Sequence, residues 1–453
     1  MSTMSERDAR IVLGSLLVLV ALATPSLGEA PTQWRTGAVH AHGLLGRLVR
    51  AADGRFDPGV LRAPALAAGL VVALLLVASP WLGRWRGTLA IVATIGVALA
   101  LLVPAVALQA GLRDATAPWF HDNDSTYQIE IAGDLVDHGT NPYGHDYRGS
   151  GMERIYSRDG SSAASAQTNP ALRHFPYLPG TAELAAGWRL LPAPFDDIRF
   201  LVCLASLALL LAAWSFPGPP WVRLVLGAAL AVNPLTIRAA WFGTADALSL
   251  APLVLAFGLA GRKRLGWAAV ALGSAILIKQ FAVVAVPFVG IVAWQTCGRE
   301  ATRRAAGIAA GVIAAGVLPF LVWDPSALFT DTVSFGAGAY RVIGYGLSNL
   351  LVRADVVERT GSYPFVWLAL VIWLPLTIVL CVRLARTREH WTAPLAAGLS
   401  WFLLFWIARV FQTSYLIYPL AGIAMSVALR LGAAQSATSA AATQAIGSSN
   451  SEA

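Results

Sequence analysis

Two carboxylates, Asp122 and Asp124, flank Asn123 in the run His121-Asp-Asn-Asp-Ser-Thr-Tyr-Gln, inside a chain that is otherwise mostly Ala, Leu, Val and Trp. A carboxylate held near a helix start can take a proton from a hydroxyl. About half of the 25 acids fall between Asp114 and Asp197, so this stretch is the chemical centre of the sequence. The cations that could oppose it are few. Lys279 is one of only two lysines, Arg409 lies between two apolar runs, and Arg238 and Arg341 stand in reserve. An Arg can clamp a phosphate through two parallel bonds, and a cation can stabilise charge developing on a leaving group. Each has a plainer use. Asp124 could be a helix N-cap with Asp122 merely solvated, Lys279 a lysine snorkelling at a helix end, and Arg409 an interfacial anchor.

The elements that position these groups are apolar helices. The chain of 453 residues is 57% hydrophobic and 13% charged, with mean hydropathy +0.62, whereas soluble domains are about a quarter charged. This composition predicts an all-α, polytopic membrane bundle. A helix needs roughly 20 apolar residues to cross the hydrocarbon core, and about twelve spans are expected, near 11–28, 63–83, 88–110, 199–216, 222–238, 246–261, 265–279, 281–296, 306–323, 364–382, 392–409 and 411–429. The net charge of +8 sits in short basic clusters between apolar runs, as the positive-inside rule requires, which argues against nucleic acid as a partner. The first run follows Arg7 and Arg10 and is shaped like a signal peptide, but the many spans behind it favour a retained anchor helix.

Hairpins at 265–296 and 222–261 bring the basic clusters to one side. The second hairpin is expected to carry Asn233, Arg238, Trp241 and Asp246 in its turn. With the N-terminus inside, the loops 112–197 and 324–363 lie outside. Residues 30–62 object, holding five arginines on the outer side; Leu44, Leu45, Leu48 and Val49 there suit an interfacial helix. The polar, low-complexity tail 433–453 is expected to be disordered. Cys203, Cys297 and Cys381 lie in or beside apolar runs, so neither a disulfide framework nor a zinc site is expected.

Within the acidic loop, Tyr127, Ile131 and Leu135 recur at a four-residue spacing, with Ala132 and Val136 alongside, which predicts a short amphipathic helix. Ser125-Thr126-Tyr127-Gln128 fits a capping box, Gly139 a C-terminal stop, and Asn141-Pro142 a turn. His121, His138, His145 and His174 match no metal spacing and are expected to be solvated. The 16 tryptophans fall mostly at span ends, as an aromatic belt would.

Asp124, Tyr127, Ala132, Leu135 and Gly139-Thr-Asn141-Pro142-Tyr143 together resemble the first-loop signature of the GT-C glycosyltransferases, multi-span enzymes that use polyprenyl-phosphate sugars. Phe175-Pro-Tyr177-Leu-Pro179 is similar to the Tyr-x-Pro segment that follows it. Asn233-Pro234 with Gly243-Thr244-Ala245-Asp246 resembles the family's Asn-Pro and Gly-Gln-x-Asp hairpin, with Thr244 in place of the usual Gln. Gly273 to Pro287, containing Ile278-Lys279-Gln280, resembles its "Gly, small, Lys, Pro" span. The resemblance covers roughly 88–300 and is nearest to the bacterial polyprenol-phosphate-mannose-dependent mannosyltransferases.

It implies an extracytoplasmic site in the cell membrane, with Asp124 as catalytic base and Asp122 as the alternative, since Asp-Asn-Asp leaves the register open by two residues. It implies donor-phosphate binding by Lys279, Arg409 and Arg238, and substrate contacts from Tyr127, Asn141, Tyr143, Tyr177 and Asp246. Asp246 is otherwise a plain N-cap or a partner for Arg238. The donor would be a polyprenyl-phosphate hexose, mannose in the nearest branch. The acceptor would be a glycolipid, glycan or protein, and displacement would invert the anomeric centre. No metal or other cofactor is expected: Asp-Asn-Asp also looks like the metal–nucleotide motif of soluble glycosyltransferases, but nucleotide sugars are not available outside the membrane. Residues 1–87 would then be two added spans, 88–300 the core with its catalytic loop, and 301–432 the C-terminal spans. A flippase or transporter, or a related oligosaccharide ligase or polymerase, is the competing expectation. Against transport, the polar residues gather in one external loop rather than at the bilayer midplane.

Overall fold

Apolar runs rich in Ala and Leu fold here as helices, because every backbone N–H and C=O is then satisfied within its own segment. The computed structural model describes residues 6–23, 43–54, 58–115, 123–153, 169–339, 342–359 and 362–449. His121, Asp122 and Arg341 lie outside these residues. The chain runs through α1 (Glu6–Ala23), α2 (Gly46–Ala51), α3 (Pro58–Ala78), α4 (Arg86–Ala115), α5 (Asp124–Asp137), α6 (Gly180–Arg189) and α7 (Ile198–Ala213). It continues through α8 (Pro220–Ala231), α9 (Pro234–Phe242), α10 (Ala245–Gly261), α11 (Leu265–Ile278) and α12 (Val286–Trp323). The last helices are α13 (Pro325–Phe329), α14 (Leu347–Arg353), α15 (Phe365–Leu368), α16 (Leu374–Thr387), α17 (Ala393–Ile407) and α18 (Ile417–Ser449). Among the described residues the strands are two residues each, β1 (Ile343–Gly344) paired in parallel with β2 (Val410–Phe411). The fold is an all-α helical bundle.

Four stretches are long and apolar enough to cross a membrane unaided: Gly83–Ala115, Gln280–Trp323, Phe365–Thr387 and Thr413–Ala434. α8 and α9 make a fifth if their 49° bend is one broken span, and shorter apolar helices, among them α7, α10 and α11, complete the bundle. The stretches expected at 281–296 and 306–323 are one helical element interrupted at Gly298, whose φ of +82° and ψ of 171° are not helical. Beyond that break Gly273 lies against Val312 and the Ala309 carbonyl, and Gly316 against Leu277. The segment after Gly298 therefore runs alongside α11 in the same direction, as two separate legs would. Small residues at these crossings let the backbones approach closely.

Three expectations change. Asn233 is not in a hairpin turn: it caps α9, its Oδ1 accepting from Leu235 and Thr236 N–H at 3.0 Å, and so marks the α8–α9 bend. The reversal falls at Gly243-Thr244. The tail does not stop being helical near 432, since α18 runs on to Ser449; its alanines are the best helix formers, which outweighs its low apolar content. The expected helix near Leu44–Val49 is the short α2, yet Leu45 and Val49 pack against Gly111 at the end of α4 rather than facing outward.

One end of the bundle carries arginine. Arg262 donates to the Trp214 and Phe216 carbonyls at 2.7 and 2.9 Å, Arg223 lies over the Trp214 ring, and Arg430 lies over Trp391. The opposite end carries the acidic loop.

Candidate functional site

Asp124 is placed by its neighbour. Asn123 is the N-cap of α5, its side chain accepting from the Thr126 N–H at 3.1 Å. Its amide donates to Thr126 Oγ1 and to the carbonyl of Phe242, the last residue of α9. Thr126 Oγ1 is also 2.8 and 2.9 Å from the Phe242 and Gly243 carbonyls. The start of the loop helix is thus fastened to the turn between α9 and α10. That turn requires Gly243: its φ is +70°, and a Cβ would stand 2.5 Å from Arg199 Cγ. Asp124 is therefore not the cap: it occupies the first helical position with Oδ1 accepting from the Ser125 N–H at 2.9 Å. The positive end of the α5 dipole faces this carboxylate.

The capping box expected from Ser125 and Gln128 does not form. Ser125 Oγ is 2.7 Å from the Tyr177 hydroxyl, and Gln128 Nε2 donates to the Ala171 and His174 carbonyls at 3.1 and 2.8 Å. Both side chains join the helix to the 170–178 segment instead. Burial pushes the Tyr177 phenol up, so it stays a hydroxyl at neutral pH.

A cavity of about 620 Å³ opens beside Asp124. Its lining includes the polar side chains of Asp124, Ser125, Tyr177, Asp246, Lys279 and Arg409 and the apolar ones of Phe281, Val333, Phe335, Phe365, Leu404 and Phe405. Carboxylate and cations from positions 124, 246, 279 and 409 thus converge on one space at one end of the bundle.

Lys279 ends α11 in extended conformation and is 5% exposed, so it does not snorkel. Its Nζ is 3.1 Å from Asp246 Oδ1, and the rings of Tyr177, Phe281 and Tyr415 surround it at 5.1 to 5.4 Å. Asp246 therefore pairs with Lys279 and not with Arg238, and it is not a cap, since Thr244 holds that position. Burying both charges is tolerable because each neutralises the other while aromatic faces hold the ammonium.

Arg409 is 2% exposed, which removes the reading of a solvent-facing anchor. It stands where α17 breaks into β2. Its carbonyl accepts from the Ile343 N–H at 3.0 Å, while the Ala408 carbonyl accepts from Ser348 Oγ and that of Ile407 from the Tyr363 hydroxyl. Gly344 is what admits this pairing: a Cβ on it would stand 1.8 Å from the Phe411 carbonyl oxygen.

Four expected contacts fall elsewhere. The Tyr127 hydroxyl donates to the Ser150 carbonyl at 2.6 Å, Asn141 Oδ1 accepts from the Tyr143 N–H, and the Tyr143 hydroxyl donates to the Tyr177 carbonyl at 2.8 Å. These three hold the loop's shape and do not line the cavity. Arg238 lies over the Phe242 ring at 5.0 Å and is not among the residues that line the cavity.

Two polar clusters were not foreseen. Arg113 reaches Glu130 at 3.2 Å and Asp196 at 3.3 Å, Arg199 pairs with Asp197 and with Gln109 at 2.9 Å, and Glu130 accepts from the Ile198 N–H. This network ties α4, α5 and α7 together, and explains several of the loop's acids as partners for buried arginines. The second is Asp331, 1% exposed, which accepts from the Gly144 and Phe175 N–H groups at 2.9 and 3.1 Å and from His174 Nδ1 at 2.6 Å. His174, stacked on Phe335 at 4.4 Å and paired with Asp331, is only partly exposed, whereas His138 is solvated as expected. The available signal was a lone acid in the otherwise uncharged run Pro325 to Tyr340. Among the described residues no three His, Cys, Asp or Glu side chains gather as a metal site.

No family model matches the chain, and no curated protein matches it.

Proposed function

We propose that the chain is an integral-membrane glycosyltransferase of GT-C type, with about twelve spans and its site on the extracytoplasmic face. It would transfer a hexose, mannose by the resemblance, from a polyprenyl-phosphate donor to a glycolipid, glycan or protein acceptor. The observation that carries the reading is the convergence of Asp124 and Arg409 on one cavity whose lining mixes charged side chains with aromatic and aliphatic ones. Such a space suits a ligand with a charged head and an apolar tail.

In this reading the Asp124 carboxylate takes the proton of an acceptor hydroxyl as its oxygen attacks the anomeric carbon. The bond from that carbon to the phosphate oxygen breaks, its electron pair goes to the phosphate, and the centre inverts. Arg409 stabilises the departing phosphate through charge-assisted bonds in a site shielded from water. Lys279 adds positive potential, but Asp246 already offsets much of it, so the main phosphate role passes to Arg409.

The test supplies membranes carrying the protein with radiolabelled polyprenyl-phosphate mannose. Label moves to a new product, and Asp124→Asn lowers the rate by about 10²–10⁴, the usual worth of a general base, while the exposed Asp137→Asn leaves it unchanged. Transfer undiminished in both Asp122→Asn and Asp124→Asn removes the loop carboxylates from the reaction.

A further inference from the structure

The stretch between α6 and α7 exposes apolar surface where a loop in water would carry polar groups. Residues 190–195 read Leu-Leu-Pro-Ala-Pro-Phe, without one polar side chain. Leu190 is 79% exposed, and Leu191, Pro192, Ala193 and Phe195 are exposed beside it. The charges that bound the turn are engaged elsewhere: Arg189 Nη2 is 2.9 Å from Asp134 Oδ1, and Asp196 Oδ1 is 3.3 Å from Arg113. Its backbone asks little of a solvent. Pro192 and Pro194 carry no N–H, and the Leu191 and Phe195 N–H groups donate to the Trp188 and Pro192 carbonyls at 3.1 and 2.9 Å. The preceding helix is inverted in the same way. Ala182, Ala185 and Ala186 of α6 are buried, the last two beside Gly133 of α5, while the larger Leu184 is exposed. This surface continues onto α7. The Phe195 ring lies 5.5 Å from that of Phe200. Phe200, Leu204 and Leu211 share one helical face by their spacing, and Leu204 and Leu211 are exposed on it.

We propose that the 190–195 turn is embedded in the lipid leaflet at the acidic end of the bundle, at the boundary of headgroups and acyl chains, and holds α6 at that level. The partner is the bilayer itself, because the patch is continuous with the exposed apolar face of a bundle helix. Removing apolar surface from water gains roughly 25 cal/mol per Å², so lipid is preferred to water along the whole strip. Engaged flanking charges and a backbone with few open donors remove the usual costs of entering a membrane. The anchor bears on the candidate site through α6. That helix packs on α5, which begins at Asp124, and its first residue, Gly180, abuts α11 near Lys279. A Cβ on Gly180 would stand 2.8 Å from the Leu277 carbonyl oxygen, so the two elements are in direct contact. A turn fixed in the leaflet therefore fixes the helix that touches the elements bearing both residues. This holds whatever chemistry the cavity performs.

The experiment uses the full chain in lipid nanodiscs, carrying Cys203→Ala, Cys297→Ala and Cys381→Ala. A bimane fluorophore is attached at Leu190→Cys or Phe195→Cys. His138→Cys, in the acidic loop, serves as the reference for water, and Leu204→Cys as the reference for lipid. Labels at 190 and 195 should lose most of their fluorescence to lipids bearing an acyl-chain nitroxide, as Leu204→Cys does, and little to aqueous iodide. His138→Cys should show the reverse. Iodide quenching at 190 and 195 equal to that at 138 overturns the proposal. Protection from both quenchers also overturns it, and gives the patch to a protein partner such as a second copy of the chain. The wild type answers without any substitution: a photoactivated diazirine on the lipid acyl chain should mark the peptide that holds 190–195. Marking of α7 with none on that peptide overturns the proposal as well.

Discussion

At the residue scale, the pair Asp246–Lys279 is the most exposed to test. Removing one partner strands a buried charge, so Asp246→Asn or Lys279→Met should each lower stability by about 3–5 kcal/mol. The double variant should cost clearly less than the sum, read as a double-mutant cycle of thermal unfolding in detergent. Equal additivity would mean the two groups do not depend on each other. Arg409→Lys should raise the donor KM by tenfold or more with little loss of protein, because an ammonium cannot make two parallel bonds to a phosphate; unchanged donor kinetics would reject its assigned role. The positions of these groups were partly legible. Asp124, Lys279 and Arg409 stood out as rare polar residues at the ends of apolar runs, and they do share a cavity. What sequence could not give was pairing: nothing in the string couples 246 with 279 rather than with 238, because that choice is made by helix packing.

At the scale of elements, Gly243 and Asp331 hold the loop in place beside the site. Gly243→Ala puts a Cβ into Arg199 and Thr126 at a positive φ. It should destabilise the protein by about 2 kcal/mol or more and loosen the start of α5. Asp331→Ala removes the common acceptor of Gly144, Phe175 and His174. Faster backbone hydrogen exchange at 144 and 175, with the bundle unaffected, is the expected result; unaltered exchange would show the contact to be dispensable. The loop helix itself was readable, since its four-residue apolar spacing and Gly139 gave α5 nearly to the residue. Its cap was not. Ser125, Asp124 and Asn123 are all good caps by type, and only the Phe242 carbonyl beside it selects Asn123.

For the whole molecule, the arginine-bearing end and the acidic end lie at opposite ends of one apolar bundle, the asymmetry expected of a positive-inside protein. A membrane-impermeant maleimide should label His138→Cys in intact cells and Arg264→Cys only after lysis; the reverse pattern would turn the molecule over and place the cavity in the cytoplasm. Overall class was written plainly in composition, because 13% charge leaves no other fold that buries so much apolar surface. The number of crossings was less legible. α8 with α9 is bent, and α12 is continuous in name across Gly298, so hydropathy alone counts these elements differently from geometry.

Arg113 and Arg199 have a mechanical consequence. Both are sunk in the head of the bundle with Glu130 and Asp197 as counter-charges. Lifting the loop helix would part Arg113 from Glu130 and the Ile198 N–H from the same carboxylate, so α5 is anchored to α4 and α7 by charge buried beneath it.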